Sequence, residues 1–201
     1  MLGIDFDNTI VSYDKIFYEL AVKWGAIPTD CEKRKTAVRD SMRKEGKEDL
    51  WTEMQAHVYG KYMKEAEAFD GVKDFFRKAK EREFPICIVS HKTLHPYKGP
   101  RYNLHETARE WLFSQGFMDS IGSGSLFFEQ SKELKMQRIA QQKCVYFIDD
   151  LIEFLEEENF PKGVNRYLFD PFLQVKGHSE IKIISKWKEL EREIYGTASV
   201  R

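Results

Sequence analysis

The strongest constraint on the fold is an alternation between short apolar runs and amphipathic helix patterns. The apolar runs lie at residues 1–6, 84–89, 125–128, 144–148 and 167–169. Nearly continuous apolar runs are typical of strands that are buried on both faces of a parallel sheet. Helix patterns lie between and after these runs, at residues 72–81, 104–115, 132–141, 151–157 and 183–195. The order predicts an α/β fold, with a parallel sheet flanked by helices.

One long segment, residues 13–69, does not follow this alternation. It contains no strand-like run, and its helix patterns lie at residues 16–24, 31–43 and 50–63. We therefore predict that residues 13–69 form an inserted helical domain. The α/β core is then predicted to comprise residues 1–12 and 70–201.

Charge and hydropathy narrow the classes of partner. The 32 basic and 33 acidic residues give a net charge of −1, so no global field favours binding to a nucleic-acid polymer or an anionic membrane. No apolar run approaches the roughly 20 residues that span a bilayer, and the N-terminus lacks a signal-peptide pattern. Three widely spaced cysteines predict reduced thiols. We predict a cytoplasmic protein without a membrane partner, and the sequence leaves its oligomeric state open.

Polar residues follow three of the predicted strands at the point where each strand ends. Asp5 and Asp7 follow the first strand, Ser90 ends the second, and Asp149 with Asp150 ends the fourth. Ligands of open α/β sheets collect at the carboxyl ends of the strands, so these side chains are predicted to meet. An Asp also commonly caps a helix, but capping explains single positions and not the whole set. Clustered carboxylates without a nearby Cys or His favour Mg²⁺.

The ordered set of strand-end motifs resembles the haloacid dehalogenase (HAD) superfamily of aspartate-nucleophile phosphatases. The segment IDFDNTI at residues 4–10 matches the first motif, and ICIVS at residues 86–90 matches the second. A lysine before the fourth strand and FIDD at residues 147–150 match the third and fourth. The resemblance extends from residue 1 to about residue 170. It implies a HAD-like Rossmannoid core, with residues 13–69 as a small helical cap.

The resemblance also implies the chemistry of the four carboxylates. Asp5 would be the nucleophile that forms an aspartyl-phosphate, and Asp7 would be the general acid and base. Mg²⁺ would be held by Asp5, the backbone carbonyl of Asp7 and Asp149, together with Asp150. The acid at Asp7 favours phosphoester chemistry, because the dehalogenating members of the family lack it.

The same resemblance implies groups that contact the phosphoryl oxygens. Ser90 and one lysine would bind these oxygens, while Thr9 would orient the loop. The lysine has more than one candidate, since Lys132 and Lys135 lie in the helix before the fourth strand and Lys143 directly precedes that strand. We prefer Lys132, because it lies at the apparent helix start, where free N–H groups also favour an anion.

Two further regions are candidates for substrate recognition. The loop at residues 91–103 concentrates cationic side chains and begins at the strand end that carries Ser90. Its candidate substrate-binding residues are His91, Lys92, Lys98 and Arg101. A solvated loop without a binding role fits this pattern about equally well. Aromatic residues of the helical insert could line a pocket for a base or a sugar, although helical spacing favours a core role for most of them.

These features predict a Mg²⁺-dependent phosphatase, a phosphoric monoester hydrolase, that acts on a small phosphorylated substrate. Nucleotides and sugar phosphates are the favoured classes. A phosphotransferase or phosphomutase with the same intermediate, or a protein phosphatase, remains an alternative. A non-catalytic ligand-binding module is a further alternative, which the intact carboxylates at Asp5, Asp7 and Asp149 disfavour.

Overall fold

The protein is described here by a computed structural model that covers residues 1–122 and 124–196. The described residues form eight strands: β1 (Leu2–Ile4), β2 (Val11–Ser12), β3 (Glu67–Ala68), β4 (Ile86–His91), β5 (Leu126–Glu129), β6 (Tyr146–Asp149), β7 (Asn165–Phe169) and β8 (Ile181–Ile184). Six of them form one sheet in the order β5-β4-β1-β6-β7-β8, in which all neighbouring strands run parallel. The predicted parallel α/β fold is confirmed.

The first strand lies in the middle of the sheet. Gly3 on β1 is in register with Cys87 on β4 and with Phe147 on β6. A Cβ atom at Gly3 would lie 2.6 Å from the Phe147 ring and 2.9 Å from the Cys144 sulfur, so the close packing here requires glycine. Because β1 lies between β4 and β6, their three carboxyl ends are adjacent at one edge of the sheet.

Helices complete the two hydrophobic layers. The α-helices are α1 (Asp14–Lys23), α2 (Lys35–Lys44), α3 (Glu48–Tyr59), α4 (Val72–Glu81), α5 (Leu104–Ser114), α6 (Lys132–Gln141), α7 (Ile152–Leu155) and α8 (Trp187–Gly196). On one layer Phe75 of α4 packs against Trp187 of α8, with ring centroids 5.1 Å apart. On the other layer Ile139 of α6 and Phe154 of α7 join the cluster around Phe147. Within the described ranges, no helix is long and apolar enough to cross a membrane.

The chain divides into two compact units. The sheet unit comprises Met1–Ile10, Ala68–His91 and the chain from Gly116 onward, and the helical unit comprises Val11–Glu67 and Lys92–Gln115. The helical unit thus includes Lys92–Gln115, although the sequence predicts that these residues belong to the α/β core. Long-range hydrogen bonds explain this grouping. The Thr107 hydroxyl donates to the Tyr59 carbonyl (2.9 Å), and the buried indole N–H of Trp111 donates to the Ala66 carbonyl (2.9 Å).

Two helices begin four residues later than the sequence predicts. The last helix, predicted at residues 183–195, begins at Trp187, because Ile181–Ile184 pair with β7 as the edge strand β8. The helix predicted at residues 31–43 begins at Lys35. The Asp14 carboxylate accepts the backbone N–H of Lys35 at 2.8 Å and so satisfies a free donor at this helix start.

Candidate active site

The first acid of the site, Asp5, is held at the end of β1. Its backbone N–H donates to the carbonyl of Ile148 on β6 (2.9 Å), which extends the ladder by one residue, and its side chain is buried. The chain then turns, with Asn8 in the left-handed region at φ 57°. Asn tolerates this conformation better than most residues. The turn lets the chain leave the sheet directly after Asp5 and Asp7.

A buried lysine bridges two of the carboxylates. The Nζ atom of Lys135 lies 2.6 Å from Asp5 Oδ1 and 2.6 Å from Asp149 Oδ2, and its side chain is only 3% exposed. The ammonium also lies 4.3 Å from the centroid of the Phe154 ring. Burial by itself disfavours the ammonium, but the nearby carboxylates of Asp149 and Asp5 raise the pKa of Lys135. The lysine is therefore held in its charged form.

The same surroundings shift Asp5 in the direction of protonation. Burial raises the pKa of Asp5 to about 7. The positive charge of Lys135 opposes this rise, and the negative charges of Asp149 and Asp7 reinforce it. A shift of this kind arises where several acids share one dehydrated site. Any added positive charge at this site favours the ionised carboxylate of Asp5.

The acids at this edge fit a divalent cation. One oxygen each of Asp5, Asp149 and Asp150 lies within 4.8 Å of the others, and within the described part of the chain this is the one such group of three. Asp5, Asp149 and Asp150 can together carry three negative charges, which a divalent cation would help to offset. Oxygen ligands from carboxylates suit Mg²⁺. Asp149 Oδ1, the oxygen that does not bind Lys135, accepts the backbone N–H of Leu151 at 3.0 Å.

Two buried hydroxyls lack hydrogen-bond partners. Ser90, at the end of β4, is 1% exposed, and Thr9, in the loop after β1, is 0% exposed. Neither hydroxyl oxygen has a partner within the described residues. Buried polar groups are usually satisfied, and an unsatisfied hydroxyl costs roughly 1–3 kcal/mol. Both hydroxyls are therefore available to a ligand.

The structure reverses the preference between the two lysines of α6. Lys132 is half exposed and lies 3.5 Å from Glu157, whereas Lys135 contacts the carboxylates. Lys135 shares the buried face of α6 with Met136 and Ile139. A sequence signal for this existed, because Lys135 precedes Ile139 by four residues and so interrupts the apolar stripe with a charge.

The four candidate substrate-binding residues occupy different surroundings. His91, at the end of β4, is exposed, and desolvation together with the charge of Lys135 lowers the pKa of its imidazole. Lys98 is exposed and pairs with Asp49 at 2.9 Å, and Arg101 is exposed. Lys92 differs from the other three, because its side chain is 3% exposed.

The aromatic residues of the helical unit pack mainly on one another. Tyr13, Phe17 and Trp51 are buried, and the Phe17 and Trp51 rings stack at 4.6 Å. The Tyr18 hydroxyl donates to the Thr29 carbonyl at 2.6 Å. These contacts give most of the rings a core role, as helical spacing predicts. They weaken the case for an aromatic pocket that binds a base.

The sequence matches no family model and no curated protein, but its structure resembles solved structures along nearly the whole chain. A HAD-superfamily hydrolase from Ehrlichia chaffeensis is 15% identical, with 98% of this chain and 96% of that chain covered and a TM-score of 0.54. A HAD-family hydrolase from Deinococcus radiodurans, with bound phosphate and sodium, is 13% identical, with coverage of 98% and 95% and a TM-score of 0.59. The HAD hydrolase YfnB from Bacillus subtilis, bound to magnesium, is 15% identical, with coverage of 96% and 97% and a TM-score of 0.54. The chain therefore has the fold of HAD-superfamily hydrolases.

Proposed function

We propose that the protein is a Mg²⁺-dependent phosphatase that hydrolyses a small phosphomonoester through an aspartyl-phosphate on Asp5. The observation that carries this proposal is the bridge from Lys135 to Asp5 and Asp149, beside a third carboxylate at Asp150. A structural ion pair needs only one acid, whereas phosphoryl transfer needs a nucleophile, cation ligands and a fixed positive charge together. The fold shared with HAD-superfamily hydrolases supports the same reading.

The first half-reaction forms a covalent intermediate. A carboxylate oxygen of Asp5 attacks phosphorus, and the bond from phosphorus to the ester oxygen breaks, with its electron pair passing to the leaving oxygen. Asp7 donates a proton to that oxygen, so the product leaves as an alcohol. In the second half-reaction Asp7 removes a proton from water. The resulting oxygen attacks phosphorus, and the bond to Asp5 breaks to release phosphate.

The surrounding groups hold the phosphoryl oxygens. The ammonium of Lys135 offsets their charge, and the free hydroxyls of Ser90 and Thr9 donate hydrogen bonds to them. Bound Mg²⁺ supplies further positive charge, and Asp149 and Asp150, with Asp5 and the Asp7 carbonyl, would hold it. Residues 13–69 would act as a cap that limits access of water to the reaction.

Support for phosphate and a cation as ligands comes from relatives of the fold. The Deinococcus hydrolase was solved with phosphate and sodium, and the Bacillus hydrolase with magnesium. In this chain the partner-free hydroxyls at Ser90 and Thr9 fit an anion, and the three-acid cluster fits a cation. Nucleotides and sugar phosphates are the first substrates to examine.

The proposal is tested by measuring phosphate release from nucleotides, sugar phosphates and phosphopeptides, with Mg²⁺ and with a chelator. We expect turnover of at least one small ester that stops when the metal is removed. The Asp5→Asn variant, which keeps the side-chain shape, should retain less than a few per cent of this activity. Activity that survives Asp5→Asn would show that Asp5 is not the nucleophile. Transfer of phosphate to an added alcohol, in place of release, would favour a phosphotransferase.

A further inference from the structure

Two cysteines meet inside the sheet unit, although 57 residues separate them in the sequence. The sulfur of Cys87, on β4, lies 3.7 Å from the sulfur of Cys144, which comes just before β6. Both cysteines belong to one buried hydrophobic cluster, and both are free thiols. Their contact depends on the order of strands in the assembled sheet, so the sequence spacing gives no sign of it.

The central strand leaves room for the two sulfurs to meet. Gly3 on β1 is in register with Cys87 on one side and with Phe147 on the other. A Cβ atom at Gly3 would lie 2.9 Å from the Cys144 sulfur, so a larger residue would displace this sulfur. The strands and the glycine therefore hold the pair together, and the contact does not depend on a flexible loop.

The two thiols differ in their surroundings. Cys144 is 6% exposed, whereas Cys87 is 0% exposed. The hydrogen bond between the two sulfurs lowers the pKa of Cys144 and raises the pKa of Cys87. Because the thiolate is the form that reacts with peroxides, Cys144 is the thiol that an oxidant attacks first. Cys87 is then the nearest nucleophile to the oxidised sulfur.

We propose that Cys87 and Cys144 are a redox-sensitive pair, in which hydrogen peroxide forms a reversible disulfide that slows the reaction at Asp5. The Cys144 thiolate attacks one peroxide oxygen, and the O–O bond breaks to leave a sulfenic acid. The departing hydroxide takes up the proton that Cys144 has released. The Cys87 sulfur then attacks the Cys144 sulfur, the S–O bond breaks, and hydroxide leaves with the Cys87 proton as a second water. The two sulfurs lose two electrons, and the peroxide gains them.

The new bond would act on both strands that flank β1. A disulfide bond is about 2.05 Å long, so the two sulfurs must approach each other by about 1.7 Å. A close-packed core transmits such a shift to its neighbours. Ser90 follows Cys87 on β4, and Asp149 follows Cys144 at the end of β6. Since a misplacement of about 1 Å can slow catalysis strongly, the disulfide form should be less active.

The first test counts thiols. The reduced protein is treated with hydrogen peroxide, quenched with acid, and then unfolded in the presence of iodoacetamide. We expect alkylation of all 3 cysteines before oxidation and of Cys31 alone afterwards. Mass spectrometry should find the peptides of Cys87 and Cys144 linked, about 2 Da lighter than the sum of the reduced peptides. A dithiol reductant should restore all three alkylation sites.

The third cysteine provides the matched control. Cys31 lies in the helical unit, is partly exposed, and has a pKa that desolvation raises. Cys31→Ala should leave the linked peptides unchanged. Cys87→Ala should stop the oxidation at a sulfenic acid on Cys144, which dimedone captures, whereas Cys144→Ala should leave Cys87 reduced. Oxidation of Cys31 while the other two cysteines remain alkylated would overturn the proposal.

The second test measures phosphate release, and this part alone rests on the proposed function. With Mg²⁺, the disulfide form should release phosphate at least about fivefold more slowly than the reduced protein, and a dithiol should restore the rate. Peroxide should leave the rate of Cys144→Ala unchanged. An unchanged rate in the disulfide form would overturn the effect on the site. If the reduced protein hydrolyses no ester, the proposed function fails, and the thiol count still decides whether the disulfide forms.

Discussion

Among the described residues, each of the two units buries one lysine, and the surroundings of these two lysines differ. In the sheet unit Lys135 lies 2.6 Å from both Asp5 and Asp149, so opposite charges fix the ammonium. In the helical unit the Lys92 ammonium lies over the Tyr59 ring, and a second lysine approaches the same ring. The first arrangement pairs the ammonium with two carboxylates, whereas the second places the ammonium against an aromatic ring. The difference shows that the sheet unit gathers the opposite charges that the proposed phosphoryl transfer needs.

The largest effect is expected from removing the charge of Lys135. In Lys135→Met the buried carboxylates of Asp5 and Asp149 lose their counter-ion, which should cost about 3–5 kcal/mol of unfolding free energy in metal-free protein. Activity should fall by about a hundredfold or more. Denaturant unfolding with and without Mg²⁺, together with phosphate release, measures both effects.

The chain offers a matched control for this variant. Lys132 lies one turn earlier on α6, and its half-exposed side chain pairs with Glu157. Lys132→Met should change stability by less than about 1 kcal/mol and leave most activity in place. Equal losses in the two variants would contradict the assignment of Lys135 to the site.

A smaller effect is expected from the partner-free hydroxyl of Ser90. Ser90→Ala removes a buried oxygen that has no protein hydrogen bond, so unfolding free energy should stay the same or rise slightly. Loss of one hydrogen bond to the phosphoryl group should lower kcat/KM by about tenfold. A large loss of stability together with unchanged kcat/KM would make this hydroxyl structural and would remove it from the site.

The last prediction is a pH dependence of stability in metal-free protein. The ordinary pKa of 3.8 is raised to about 7 for Asp5, chiefly by burial, so the folded state binds a proton that the unfolded state releases. The stabilisation of the folded state by this proton is present in full below about pH 4 and is lost as the pH rises to about 7. The stability of the unmodified protein relative to Asp5→Asn should therefore decline over this window. A relative stability that rises with pH would contradict the raised pKa.

Much of the fold and of the site could be predicted from local patterns. The predicted strands β1, β4, β6 and β7 are largely buried and therefore form apolar runs, and Asp5 and Asp149 lie at the ends of two of them. The strand β8 was missed because its short run, IKII, merges with the helix pattern that begins at Trp187. The edge position of β8 becomes visible only when the sheet is assembled.

The remaining differences involve contacts between residues far apart in the sequence. The start of α2 depends on Asp14, 21 residues before Lys35. The inclusion of Lys92–Gln115 in the helical unit depends on hydrogen bonds such as that from Trp111 to Ala66. The choice between Lys132 and Lys135 depends on which face of α6 meets the sheet. Periodicity indicates that α6 has such a face, whereas the position of Lys132 at the helix start favours the other lysine.

The central claim is that Asp5 carries the phosphoryl group, and trapping that group tests it most directly. Asp7→Asn removes the base that activates water, so the intermediate should break down slowly and accumulate when a good substrate is added with Mg²⁺. Mass spectrometry of rapidly quenched protein should then find one phosphoryl group on the peptide of residues 1–15, at Asp5, and none when Asp5→Asn is added to Asp7→Asn. Turnover by Asp7→Asn without any adduct, or a phosphoryl group on another residue, would contradict the account.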